Sequence, residues 1–143
     1  MPGGIQWLLG GDIAEALTQK HRVYLCGDLE IPQTGLPCLP DAKLEIGVSR
    51  YKTFQADTPH VHPRDMEYNY VVRGRVKIYL LAEKREYEFA EGSLFVIAPN
   101  TPYASKGCAD TQVLFVKCPG GNDKQCLEAD GATADWMRAW DCV

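Results

Sequence analysis

The sequence of 143 residues predicts an all-β domain with a short helix at each end. Three observations carry that expectation. Short runs alternate apolar and polar side chains, and Gly, Pro, Asn and Asp separate those runs at regular intervals. Helical spacing is confined to the two termini. A half-buried strand repeats every two residues and a helix near every 3.6, so the two patterns are distinguishable by eye.

Taken in order, "GDIAEALTQKH" reads as a helix, with Asp12 as its N-terminal cap and Ile13, Ala16 and Leu17 on one face. Arg22–Cys26 reads as the first strand. The loop "IPQTGLPCLPD" follows, carrying Pro32, Gly35, Pro37 and Pro40. In "AKLEIGVSRYKTF", Leu44, Ile46 and Val48 alternate with Glu45, Gly47 and Ser49, the pattern of a half-buried strand. "MEYNYVV" and "RVKIYLLA" are two more strands, joined at Arg73-Gly74 by a turn in which Gly74 takes the positive φ. "REYEFA", "SLFVIA" and "TQVLFVKC" bring the expectation to about seven to nine strands, as in a sandwich or barrel. In the closing "GATADWMRAWD", Trp136 and Trp140 stand four apart and share one side of a helix. That helix is expected to pack on the outside of the barrel or on a partner subunit. One domain spans residues 1–143: helix, first strand and loop in 1–40, the barrel in 41–119 and the terminal helix in 120–143.

Composition excludes several function classes. A formal charge of −4, with no run of Lys or Arg, argues against a nucleic-acid surface. Apolar runs such as "LFVIA" fall far short of the roughly 20 residues that cross a bilayer. The N-terminus lacks the pattern of a signal peptide, so the expected setting is cytoplasmic. The six cysteines (Cys26, Cys38, Cys108, Cys118, Cys126 and Cys142) form no C-x-x-C pair and read as unrelated free thiols. Cys108 and Cys118 flank a strand and are candidate spatial neighbours.

The chemistry concentrates in "TPHVHPRDMEYNYVVRG". His60 and His62, two of only three histidines, stand one residue apart, and Glu67 follows. On a strand the two imidazoles point the same way, roughly 6–7 Å apart. If the next strand pairs antiparallel beside them, Glu67 reaches the same point. Two imidazoles and one carboxylate form a partial coordination shell for Fe, Mn, Ni, Co or Zn. An ordinary polar patch at a strand end is the bland alternative.

The run His60-x-His62-x4-Glu67-x6-Gly74 resembles the first motif of the cupin superfamily. "EGSLFVIAPNTPYASKG" resembles the second, with Gly92 opening a strand and Pro99 ending it. The resemblance implies a double-stranded jelly-roll barrel, a bound metal ion and a small-molecule substrate or ligand, in a family often dimeric. Two positions depart from the pattern. Phe54 stands where the first motif usually has Gly, and Tyr103 where the last metal-binding histidine falls. Tyr103 then either binds a strongly Lewis-acidic ion as phenolate, hydrogen-bonds a substrate or bound water, or merely packs at the barrel mouth. Asn100, in place of a Gly, suits a left-handed turn.

Parity places other residues. With Glu67 inward, Asn69, Val71 and Arg73 share its face and Tyr68 and Tyr70 point out; Asn69 is a candidate substrate contact. Arg50 is a second one, able to hold a carboxylate or phosphate if its face turns in. His21 is expected in solvent, and "CPGGND", Cys118–Asp123, reads as a plain loop. Three functions compete. The favoured one is a metalloenzyme acting on a small polar organic molecule, with Glu67 and Tyr103 as catalytic groups and an oxygenase or isomerase/epimerase reaction. The second is a non-catalytic module for a sugar-like ligand. The third is a metal-free isomerase or epimerase, with His60 or His62 as base and Tyr103 as acid.

Overall fold

A computed structural model describes residues 3–121 and 123–142. Among them, helix α1 (Gly10–Gln19) precedes the strands β1 (Arg22–Cys26), β2 (Glu45–Tyr51), β3 (Gln55–Val61), β4 (Met66–Arg73) and β5 (Arg75–Leu80). β6 (Arg85–Ala90), β7 (Leu94–Ile97), β8 (Tyr103–Gly107), β9 (Thr111–Cys118) and β10 (Gln125–Cys126) follow, then helix α2 (Gly131–Arg138). The strands form two five-stranded antiparallel sheets, ordered β1-β2-β9-β4-β7 and β10-β3-β8-β5-β6. The jelly-roll class holds, with one correction: the sheets face one another but do not close into a barrel.

The turn at Gly74 is not a hairpin. β4 and β5 are separated by this single residue yet belong to different sheets. Gly74 adopts φ +81°, and a Cβ there would lie 2.6 Å from the Thr111 backbone, so only glycine fits the crossing. The expected pairing of the Glu67 strand beside the histidine strand also fails. β4 pairs with β7 and β9, whereas β3 pairs with β8 and β10.

Between the sheets lies the main core: Tyr51, Val71, Val76, Ile78, Phe95, Ile97, Tyr103 and Val113. A second core sits outside the first sheet, where Ala16 and Leu17 of α1 pack on Val23, Leu36 and Val48. This second layer inverts the reading of β2. Its apolar Val48 faces the helix, while Gly47, Ser49 and Tyr51 face the interior. Gly47 is required there because a Cβ would meet the Phe115 ring at 2.2 Å. Both faces of the strand are covered, so alternation alone does not say which one lines the cavity. Asp12 lies in the first turn of α1 instead of capping it; Leu9 holds the cap position with no side-chain bond.

The terminal helix packs on the second sheet within the same chain. Trp136 stacks on Tyr79 with ring centroids 5.2 Å apart, and the Lys106 ammonium donates to the carbonyls of Trp136 and Ala139. Asp130 caps α2 by accepting from the Thr133 amide. Cys108 and Cys142 form a disulfide, with Cα atoms 5.8 Å apart, which corrects the expectation of six free thiols and of a Cys108–Cys118 neighbourhood. No described helix is long and apolar enough to cross a membrane.

Candidate functional site

His60 and Tyr103 are cross-strand partners on β3 and β8. Their rings lie 4.5 Å apart, and the His60 Nε2 is 3.0 Å from the Tyr103 hydroxyl. Glu67 enters from the opposite sheet, and the Tyr103 hydroxyl donates to its Oε2 at 2.5 Å. The carboxylate thus crosses the gap between the sheets instead of approaching beside the histidines. All three side chains are buried. His62, just past the end of β3, also lines the cavity, its ring 5.0 Å from that of His60.

His60 and Tyr103 have their orientations fixed by neighbours. The His60 Nδ1–H donates to the Thr58 carbonyl at 2.9 Å, which leaves the Nε2 lone pair facing the cavity. Burial lowers the His60 pKa to about 4, outweighing the Thr58 bond that favours the charged form, so the ring is neutral at pH 7. Burial, then the charge and hydrogen bond of Glu67, push the Tyr103 phenol well above its usual range and keep it protonated. One hydroxyl proton therefore stands between two acceptors, the imidazole nitrogen and the carboxylate.

Asp123 fixes His62. It accepts from the His62 Nδ1–H at 2.8 Å and from the amides of Arg64 and Asp65. Burial works against its charge, but these bonds hold the carboxyl below the usual range. The "CPGGND" loop is thus more than a loop: it delivers Asp123, and the Gly120 amide donates to Asp65 at 2.7 Å. No spacing rule links Asp123 to His62, because the contact spans 61 residues of sequence.

Parity holds on β4 as far as the bulge. Glu67, Asn69 and Val71 are buried and Tyr68 and Tyr70 exposed, but an irregularity between Val71 and Arg73 turns Arg73 outward. Asn69 lines the cavity, and its Nδ2 has no hydrogen-bond partner among the described residues. Arg50 does not line the cavity; its guanidinium points to Asp110, 4.0 Å away, because Ser49 and Tyr51 take the inward positions. The arginine at the cavity is Arg22 of β1, which donates to the Ser49 hydroxyl at 2.9 Å. His21 is likewise not in solvent. It packs edge-on against Tyr51, with its Nε2 3.3 Å from Asp57.

The inner cavity encloses about 50 Å³, enough for an ion, a few waters or the reactive end of a molecule, but not a whole sugar. The donor chemistry suits a transition metal: a neutral imidazole with its lone pair turned in, a second whose other nitrogen is fixed by a carboxylate, and Glu67. The spacing is looser. Among the described residues, the His, Cys, Asp and Glu ligand atoms that lie within 4.8 Å of one another belong to His62, Asp65 and Asp123, not to His60, His62 and Glu67.

A cupin-domain family model matches residues 48–116, the span that carries His60, His62, Glu67 and Tyr103. No curated protein matches the chain. KdgF from Halomonas sp. is similar in structure, with 24% identity, a TM-score of 0.52, and coverage of 58% of this chain and 74% of that one. A Streptomyces PAC13 variant with uridine shares 18% identity at a TM-score of 0.55, over 66% of this chain and 76% of that one; Pac13 is described as a nucleoside dehydratase. A Klebsiella pneumoniae protein with a double-stranded β-helix domain shares 15% identity at a TM-score of 0.56, covering 62% and 74%. At such identities the likeness is one of fold. The two facing sheets share their fold with these structures, and residues 48–116, which carry the motif residues, match the cupin-domain family.

Proposed function

We propose that the chain is an enzyme that moves protons on a small polar organic molecule, with His60 as base, Tyr103 as acid and Glu67 as the group that orients the phenol. The observation that carries this reading is the placement of one protonated hydroxyl 2.5 Å from a carboxylate and 3.0 Å from a neutral imidazole. His60 accepts a proton from the substrate at Nε2 while Tyr103 donates one to a substrate oxygen. The contact between them then allows the imidazolium to return a proton to the phenolate, restoring both groups. The unpaired Asn69 Nδ2 supplies a hydrogen bond to the bound molecule. A cavity of about 50 Å³ admits only the reacting end.

A second reading rests on the Asp123–His62 bond, the usual support of a metal-binding imidazole. His60, His62 and Glu67 would hold a transition-metal ion, which would supply Lewis-acid chemistry at the same point. Tyr103 then donates to the bound molecule and need not ligate. The exposed Tyr68, Tyr70, Leu94 and Val96 of β4 and β7 form an apolar face that a second copy of the chain would cover in a homodimer.

Turnover across sugar phosphates, nucleotide sugars and small organic acids tests the first reading. His60→Gln and Tyr103→Phe are each expected to lower it about 100-fold or more with the fold intact. Full activity in both variants overturns it. Metal analysis separates the second reading: a stoichiometric ion lost in His62→Ala supports it, and a fully active, metal-free wild type after metal-replete growth rejects it. Ligand-induced melting shifts without turnover would favour a binding module instead.

A further inference from the structure

The inner cavity shares two of its walls, Arg22 and Lys124, with a wider hollow of about 470 Å³. That is the size of a pocket for a small organic ligand. Lys20 also lines it, and Glu30 is the one acidic residue among its described lining residues. Three cations thus gather at the approach to the site in a chain whose net charge is −4.

These cations keep donors to spare. Lys20 donates to the carbonyl and hydroxyl of Thr34 and has a third N–H left over. Arg22 donates through Nε to Ser49, and its terminal nitrogen is 3.9 Å from Asp57, so part of its fork is uncommitted. Lys124 has no hydrogen-bond or ion-pair partner among the described residues. Lys117, also at the inner cavity, differs: its ammonium is neutralised by the buried Glu45 at 3.0 Å.

The remaining walls are apolar or aromatic, from Tyr24, Leu29 and Ile31. The wall is held in place by Gln33, which accepts from the Tyr24 amide and donates to the carbonyls of Tyr24 and Leu36. A naked inorganic ion would leave these surfaces unused. An organic body bearing an anionic group would use both kinds of wall.

We propose that this hollow binds the anionic end of the substrate, a small organic molecule carrying a phosphate or carboxylate held by Lys20, Arg22 and Lys124. Its uncharged end passes between Arg22 and Lys124 into the inner cavity. The proposal rests on the reading of that cavity as a catalytic site, and it adds the substrate class.

Calorimetric titration with ribose 5-phosphate, glucuronate, inorganic phosphate and neutral ribose tests it. The two organic anions are expected to bind at least tenfold more tightly than ribose and more tightly than inorganic phosphate, whichever of them binds better identifying the anionic group. Lys124→Glu, at an exposed position without partners, is expected to weaken the organic anions at least tenfold while melting as the wild type does. Lys20→Gln should weaken them severalfold. Equal binding of ribose, no binding of either organic anion to the wild type, or affinities in Lys124→Glu within twofold of wild type would each overturn the proposal. Titration of Tyr103→Phe separates the two readings: anion affinity retained there, in the absence of wild-type turnover, supports the hollow even if the catalytic reading fails.

Discussion

Asp57 organises the floor of the cavity. It accepts from Tyr51 at 2.7 Å and Ser105 at 3.1 Å, and it lies 3.3 Å from His21 and 3.9 Å from Arg22. Burial alone would raise its pKa, but the His21 bond and the Arg22 charge outweigh burial and hold the carboxyl far below its usual range. A depressed pKa stabilises the fold fully above the unfolded value near 3.9 and less as pH falls through the folded one. Asp57→Asn is therefore expected to cost about 3 kcal/mol at pH 7, measured by urea unfolding, with the deficit shrinking below about pH 4. A deficit independent of pH would refute the electrostatic account. His60 and Glu67 stood out by spacing and Tyr103 by the motif resemblance, yet Asp57 did not stand out at all. An irregularity in β3 between Asp57 and His60 lets two residues three apart both line the cavity, which simple alternation forbids.

Gly74 decides the architecture at the scale of elements. Because β4 and β5 enter different sheets through it, the chain wraps around the cavity, and Glu67 arrives opposite His60. Gly74→Ala must adopt a positive φ and push on the Thr111 backbone, so a loss of about 3 kcal/mol is expected in chemical denaturation. A loss under about 0.5 kcal/mol would mean the crossing tolerates a side chain. The strands themselves were readable from alternation, and so was the positive φ of Gly74. Their sheet membership was not, since a tight glycine turn looks the same whether it folds a hairpin or switches sheets. Asn100, with φ +62°, takes the left-handed conformation its residue type suggests.

At the scale of the whole molecule, the C-terminal segment is tied across the second sheet. The Lys106 ammonium lies 4.1 Å from the Trp136 ring centroid, Trp136 donates to Glu86, and Cys108–Cys142 closes the segment covalently. The linked cysteines are 34 residues apart, so the crosslink restricts the unfolded chain considerably. Cys142→Ser is expected to lower stability by about 3 kcal/mol under oxidising conditions and to have little effect under strong reductant. Equal melting of the two proteins when oxidised would show that the bond adds nothing. A terminal helix was legible in the sequence, but it ends at Arg138, so Trp140 lies beyond it and does not share its face with Trp136. The helix's seat on Tyr79, in the same chain, was not legible.

Sequence by itself determined the all-β class and the terminal helices, and it singled out His60, His62 and Glu67 by spacing and Tyr103 by motif resemblance, because side-chain period and motif spacing are local properties. Tertiary structure alone decided that Glu67 faces His60 across the sheets, that Asp123 fixes His62, and that Arg22 replaces Arg50 at the cavity. Each of those outcomes depends on which sheet a strand joins and which of its faces is covered. Both are settled by packing between segments far apart along the chain.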